Sequence, residues 1–193
     1  YVKLNKGIST LLILTVVNNI FIMGPAIIGL QVFVKEILKG NLVVLALLEG
    51  AMASGMIIGS VIFLIAIKRF HPVNILLFGL VLDGCTFSIM YFVQSNYEAI
   101  LVLLIHGIGI PLITVARTTL IQMTVPENLQ GRLFSMIYMS IMGTTAISIG
   151  LTGVILEYFE ADILFFIIGV CAALCALIGL ISENFISLGQ KVN

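Results

Sequence analysis

Three side chains able to exchange protons lie inside long apolar stretches of this sequence: Glu49, Asp83 and His106. Ionisable groups in such surroundings are costly, which makes them functional candidates. A carboxylate stripped of water is expensive, so Glu49 and Asp83 are expected to hold a proton until water reaches them. Histidine titrates near neutral pH and can pass a proton on. The plainer role of each is a hydrogen bond to a neighbouring segment. Asn18 and Asn19 add two amides shortly before Gly24-Pro25. Either amide can hydrogen-bond a bound molecule or an adjacent helix, but at most one of two neighbours can face the centre of a cavity. Arg117 can snorkel to a polar surface, pair with a carboxylate or hold an anionic group. Glu49 is the first choice for proton exchange, because Gly50 and Ala51 beside it leave room for water.

The sequence has no His-Glu-x-x-His, no Gly-x-Ser-x-Gly and no Gly-Lys-Ser/Thr loop, so neither catalysis of a soluble type nor ATP use is expected. Cys171 and Cys175 stand one helical turn apart, but a zinc site needs more ligands. With Cys85 they read as small packing residues inside apolar stretches, and no metal, cofactor or disulfide is expected.

These candidates must be positioned by elements made almost wholly of apolar residues. Of the 193 residues, 61% are hydrophobic and 9% charged, against about 25% charged in a soluble domain. A soluble chain this apolar would aggregate, so the protein is expected to lie in a lipid bilayer. Lys+Arg and Asp+Glu both number 9, which leaves no basic patch for nucleic acid. Hydropathy divides the chain into six spans, at about 8–34, 42–67, 73–93, 99–123, 133–156 and 163–181. Apolar runs of this length in lipid must be helices. The first is interrupted at Gly24-Pro25, and the fourth contains Pro111.

Positive charge orients the spans. With the N-terminus inside, Lys3, Lys6, Lys68, Arg69, Arg117, Arg132 and Lys191 lie on or near the inner side and only Lys35 and Lys39 outside. Both termini are then cytoplasmic. The chain begins at Tyr1 with no signal-peptide pattern, and reads as a piece of something longer on its N-terminal side.

The stretch 125–158 organises the rest. Val125–Arg132 is polar, with Pro126 to stop one helix and Gly131 to allow a sharp turn. The uncharged run 133–156 follows, with Gly143, Gly150 and Gly153 expected to let a second helix approach closely. In the second span Ala51, Gly55 and Gly59 form a similar stripe at four-residue spacing. Val125, Pro126, Gly131, Arg132, Gly143, Gly150, Gly153 and Glu157 together resemble the tenth-to-eleventh helix region of major facilitator superfamily transporters, and are most similar to the drug- and macrolide-efflux branch.

The resemblance implies an all-α membrane protein. Residues 1–193 would form the C-terminal six-helix half of a major facilitator fold, working against an N-terminal six-helix half that this chain lacks. It implies proton-coupled efflux of an amphiphilic drug such as a macrolide by alternating access, in a bacterial plasma membrane. It places the first and fourth spans along a cavity, and the third span, with Asp83, towards the outside of the bundle. Lys68, Arg69, Arg117, Gly131 and Arg132 become candidates for inner-side gating. The loop Lys68-Arg69-Phe70-His71-Pro72 keeps the family's basic pair but lacks its acidic residue and its glycine, so these charges suit binding to lipid phosphates somewhat better than gating. Two rival readings remain. One is an intramembrane enzyme built on Glu49, Asp83 and His106. The other is a non-transporting half-transporter fragment.

Overall fold

The computed structural model describes residues 5–189, so Lys3 and Lys191 lie outside the described part. Among the described residues there is no strand, and six helical spans are long and apolar enough to cross a membrane. The first comprises α1 (Lys6–Gly24), a π-helical turn (Pro25–Gly29) and α2 (Leu30–Glu36). Then come α3 (Leu42–Ala66), α4 (Pro72–Ile89), α5 (Asn96–Thr124), α6 (Glu127–Leu156) and α7 (Ala161–Ile181). A short α8 (Glu183–Ile186) closes the described chain.

Polar residues start these helices, because the first backbone N–H groups of a helix lack partners within it. Asn5 caps α1 by accepting from Ile8 N–H, and Asn41 caps α3 by accepting from Val43 and Val44 N–H. Ser95 and Glu98 form a reciprocal capping box on α5. His71 Nδ1 accepts from Val73 N–H at the start of α4, where Pro72 opens the helix.

The connection expected at 124–132 is shorter than its composition suggests. Only Val125 and Pro126 separate α5 from α6, so Gly131 and Arg132 lie within a helix rather than a loop. Gly131 makes no sharp turn: no described glycine has a positive φ. Pro126 turns the chain with an extended ψ of 139°. Gln130 then reaches back, donating from Nε2 to the carbonyls of Gln122 and Val125 at 3.2 and 2.9 Å. Backbone groups freed at the end of α5 are thus satisfied by a side chain of α6, and no longer loop is needed.

Small residues set which helices meet. Gly55 lies so close to α5 that an added Cβ would strike the carbonyl of Leu104, and Gly59 is similarly placed against Ile108 and Pro111. Gly84 of α4 and Gly169 of α7 face each other in the same way. Among the described residues the packing expected at Gly143, Gly150 and Gly153 is not made: a Cβ at any of the three would have nothing within 4 Å, and α6 meets α1 through Ser148 and Thr152 instead. In that contact the small residue belongs to α1. Gly24 packs onto Ser148 and Thr152 of α6, because hydroxyls there can bond the α1 backbone directly.

The third span also departs from expectation. Helix α4 packs on both α5 and α7 and is the most buried of the six, so Asp83 faces the interior rather than the periphery. Two apolar clusters stack along the bundle. One gathers Leu11, Leu76, Leu80 and Leu120 at the end that carries both termini; the other gathers Phe33, Phe87, Leu103 and Phe165 at the opposite end. Outward side chains such as Ile57, 71% exposed, are apolar as well. Lipid is as apolar as these side chains, so close packing and interhelical hydrogen bonds hold such a bundle.

Candidate functional site

The gap between the two apolar clusters is polar, and Asp83, His106 and Asn18 meet there from three helices. Asp83 of α4 is 2% exposed and His106 of α5 is 1% exposed. His106 Nδ1 stands 3.2 Å from Asp83 Oδ1, the only ion pair among the described residues. Asn18 Nδ2 donates to Asp83 Oδ2 at 3.3 Å. Thr86, one turn along α4, places its hydroxyl 3.0 Å from His106 Nδ1.

Aromatic packing fixes the imidazole. His106 stacks on Phe87 with ring centres 4.3 Å apart and planes 11° apart. Phe87 meets Phe165 edge-on, and Phe165 meets Phe33 in the same manner. Thr86 and Phe87 were not singled out from sequence. Their spacing from Asp83, three and four residues, is the signal that could have found them, since such positions share a helix face.

The neighbouring amides divide their work. Asn18 looks towards Asp83, whereas Asn19 Nδ2 donates to α6, with Ile141 O, Thr144 Oγ1 and Thr145 Oγ1 at 3.1, 2.8 and 3.0 Å. One turn on, Ser148 Oγ accepts from Gly24 N–H at 2.7 Å and donates to Ile20 O at 2.6 Å. An unbroken α-helix would pair those two backbone groups with each other. A hydroxyl inserted at that place, next to Pro25, accounts for the π-helical turn that follows. So the break in the first span is not a gap but a joint fastened to α6.

A cavity of about 640 Å³ opens beside this cluster. Asn18, Asn19, Asp83 and His106 line it, with apolar walls that include Leu14, Ile110 and Ile113. Glu49 lines it too, but neither an ion pair nor a hydrogen bond joins Glu49 to Asp83 or His106. Helices α3 and α5 run parallel, with Gly55 level with Leu104 and Gly107. Glu49 lies six residues before Gly55, about 9 Å along the axis from the level of His106 at 1.5 Å per residue. It is exposed, whereas Asp83 is enclosed.

Arg117 lies eleven residues beyond His106 on α5, about 16 Å along the axis. It is half-buried and lines both this cavity and a second of about 490 Å³, shared with Thr118, Ser135 and Tyr138. No described carboxylate pairs with it. Lys68, Arg69 and Arg132 are exposed and likewise carry no ion pair among the described residues. A gating salt bridge at the basic loop is therefore not formed in this structure. Beside that loop, partial burial lowers the His71 pKa below the ordinary histidine value. Among the described residues no three His, Cys, Asp or Glu side chains are grouped to hold a metal.

Chemically, the cluster can store one proton out of water, between a carboxyl and an imidazole, beside a largely apolar chamber. A family model described as the Major Facilitator Superfamily matches residues 9–184. No curated protein gives a significant match to the chain.

Proposed function

This chain belongs to the major facilitator superfamily, a family of secondary transporters, and from that premise we propose that it is the C-terminal half of a proton-coupled exporter. Its substrate in this reading is an amphiphilic drug, a macrolide being one example, moved by alternating access against an N-terminal half of six helices. The protein is an integral membrane protein; we place it in a bacterial plasma membrane with both termini in the cytoplasm.

One observation carries the proposal. Asp83, His106 and Asn18 converge from α4, α5 and α1 on a cavity whose walls are otherwise largely apolar. A carboxyl held there can take up a proton and give it back as water reaches the cavity. That is the property a proton-driven carrier requires. The apolar walls suit an amphiphile's hydrocarbon part. Glu49, at the open edge of the same cavity, suits a second proton-exchanging position.

The enzyme reading draws less support, because Asp83 and His106 meet while Glu49 stands apart. The fragment reading turns on what precedes Tyr1: six further helices in the reading frame favour the transporter.

The test uses the full-length protein reconstituted in vesicles with an imposed pH gradient. Asp83→Asn is expected to abolish gradient-driven transport while substrate exchange without a gradient continues. Glu49→Gln, measured in parallel, distinguishes the two carboxyls. If both variants respond to the gradient like the parent, this half does not carry the proton.

A further inference from the structure

The hydrogen bonds around Asp83 fit one protonation state and leave a place prepared for the other. The Thr86 hydroxyl donates to the backbone carbonyls of Leu82 and Asp83, at 2.8 and 2.9 Å. Its oxygen can then only accept, so His106 Nδ1, 3.0 Å away, is the donor. His106 Nδ1 also stands within ion-pair distance of Asp83 Oδ1, at 3.2 Å. Asn18 Nδ2 donates to Oδ2, which must then be an acceptor, as an oxygen of an ionised carboxylate is. The other end of the Asn18 amide is Oδ1, which is buried and has no hydrogen-bond partner. A buried polar atom without a partner calls for an explanation.

We propose that Asn18 reads the protonation state of Asp83 by turning its side-chain amide through half a turn. With Asp83 ionised, Nδ2 donates to Oδ2, the arrangement observed. When cavity water delivers a proton to Oδ2, the new hydroxyl needs an acceptor, and the N–H facing it is in the way. Rotation about the last side-chain bond exchanges Nδ2 for Oδ1, and the hydroxyl donates to Oδ1. Asn18 itself gains and loses no proton; the one proton comes from cavity water and returns to it.

The exchange changes what holds α1 to α4. A charge-assisted hydrogen bond is roughly twice as strong as a neutral one. Protonation therefore weakens the Asn18–Asp83 link, while Asn19 and Ser148 keep α1 fastened to α6. Protonation thus loosens α1, with α6 fastened to it, from α4, while the packing of α1 on α7 remains. Other ionisable groups bear on Asp83 from several helices. His106 of α5 touches it, and Glu49 of α3 and Arg117 of α5 line the same cavity. Lys6 is the one ionisable residue of α1, in its first turn, and α7 brings the thiols Cys171 and Cys175 behind α4.

This inference rests on the proton site assigned to Asp83 above. Infrared difference spectra on acidifying the reconstituted full-length protein test it without requiring transport. The carboxylic-acid C=O band absent from Asp83→Asn belongs to Asp83. In Asn18→Leu that band is expected at higher wavenumber, because the acid has lost its acceptor. Gradient-driven transport should fall about tenfold, the factor that one unit of proton affinity represents. Asn18→Thr, whose hydroxyl both donates and accepts, should restore the parent band position and coupling. If Asn18→Leu does not fold, Asn18→Ala removes the same two groups.

An unmoved band in Asn18→Leu overturns the inference. So does failure of Asn18→Thr to restore the parent band, which would mark Asn18 as structural. If Asp83→Asn keeps its response to the gradient, the proton site itself is misassigned; a shifted band in Asn18→Leu would still establish the amide as the acceptor.

Discussion

Asp83 and Glu49 are both carboxyl residues in apolar helices, yet their surroundings separate them. Asp83 accepts from Asn18, stands beside His106 and has almost no exposure, whereas Glu49 stands exposed at the cavity edge. Removing the Asp83 carboxyl strands the Asn18 N–H, an unsatisfied donor costing about 1–3 kcal/mol. Asp83→Leu should therefore destabilise the protein by about 1–3 kcal/mol, read as a lower unfolding temperature in detergent. Asp83→Asn should cost less, because its amide oxygen still accepts. Glu49→Gln should stay within about 0.5 kcal/mol, as exposed substitutions do. A Glu49 effect as large as that of Asp83→Leu would contradict this ranking. The sequence supplied every member of the cluster except Thr86 and Phe87, but not their convergence. It favoured Glu49 for its small neighbours, Gly50 and Ala51. Which way a residue faces depends on the rotation of each helix against its neighbours, and in a chain apolar on all sides no amphipathic stripe records that rotation.

Helix contacts were legible where a glycine meets a backbone and misleading where it does not. Gly55 and Gly59 are packed as their spacing implies, while Gly143, Gly150 and Gly153 of α6 face open space. Spacing reports that a face is small, not what covers it. Gly55→Leu should accordingly prevent α3 from seating on α5. Gly150→Leu should leave the folding of these six helices unchanged. The measurement is helical content and unfolding temperature of both variants; equal losses would mean that the α6 face is covered. Should a second half pack there, Gly150→Leu would abolish transport without altering this half. At the start of α4, His71 adds a pH dependence. Its pKa is lowered in the fold by burial, so the folded state favours neutral imidazole, whose Nδ1 caps the helix. That contribution is present above the unfolded histidine pKa, about 6.5, and is lost as pH falls through it. His71→Asn keeps an acceptor at every pH, so the difference between parent and variant should grow below about pH 6.5. It should reach the order of 1 kcal/mol, as a lost N-cap does. A difference independent of pH would remove His71 from this role.

At the scale of the whole molecule, helices α3, α4, α5 and α7 form a block held by glycine contacts, and α1 with α6 forms a pair held by hydroxyl and amide bonds. The polar cluster at Asp83 lies between them, and apolar packing also joins them, with Leu11 in one cluster with Leu76 and Leu80 and Phe33 against Phe165. Six spans were legible to within a few residues, because the hydrocarbon thickness fixes the length of an apolar run. The block-and-pair division was not, because it depends on contacts between helices distant in sequence. The orientation of the bundle follows from charge. The end bearing both termini carries Lys6, Lys68, Arg69 and Arg132 among the described residues, and the opposite end carries Lys35 and Lys39 with Glu36, Glu98, Glu157, Glu160 and Asp162. Lysine and arginine are retained on the cytoplasmic side of short connections, so the terminal end should face the cytoplasm. Single cysteines test this after Cys85, Cys171 and Cys175 are replaced. Tyr97, 86% exposed, and Phe159 lie at the acidic end; Arg69 and Asn128 lie at the basic end. In intact cells an impermeant maleimide should modify cysteines at 97 and 159 at once, and those at 69 and 128 only after the membrane is opened. Labelling at 69 or 128 in sealed cells would invert the protein, and with it the side from which the cavity beside Asp83 takes its proton.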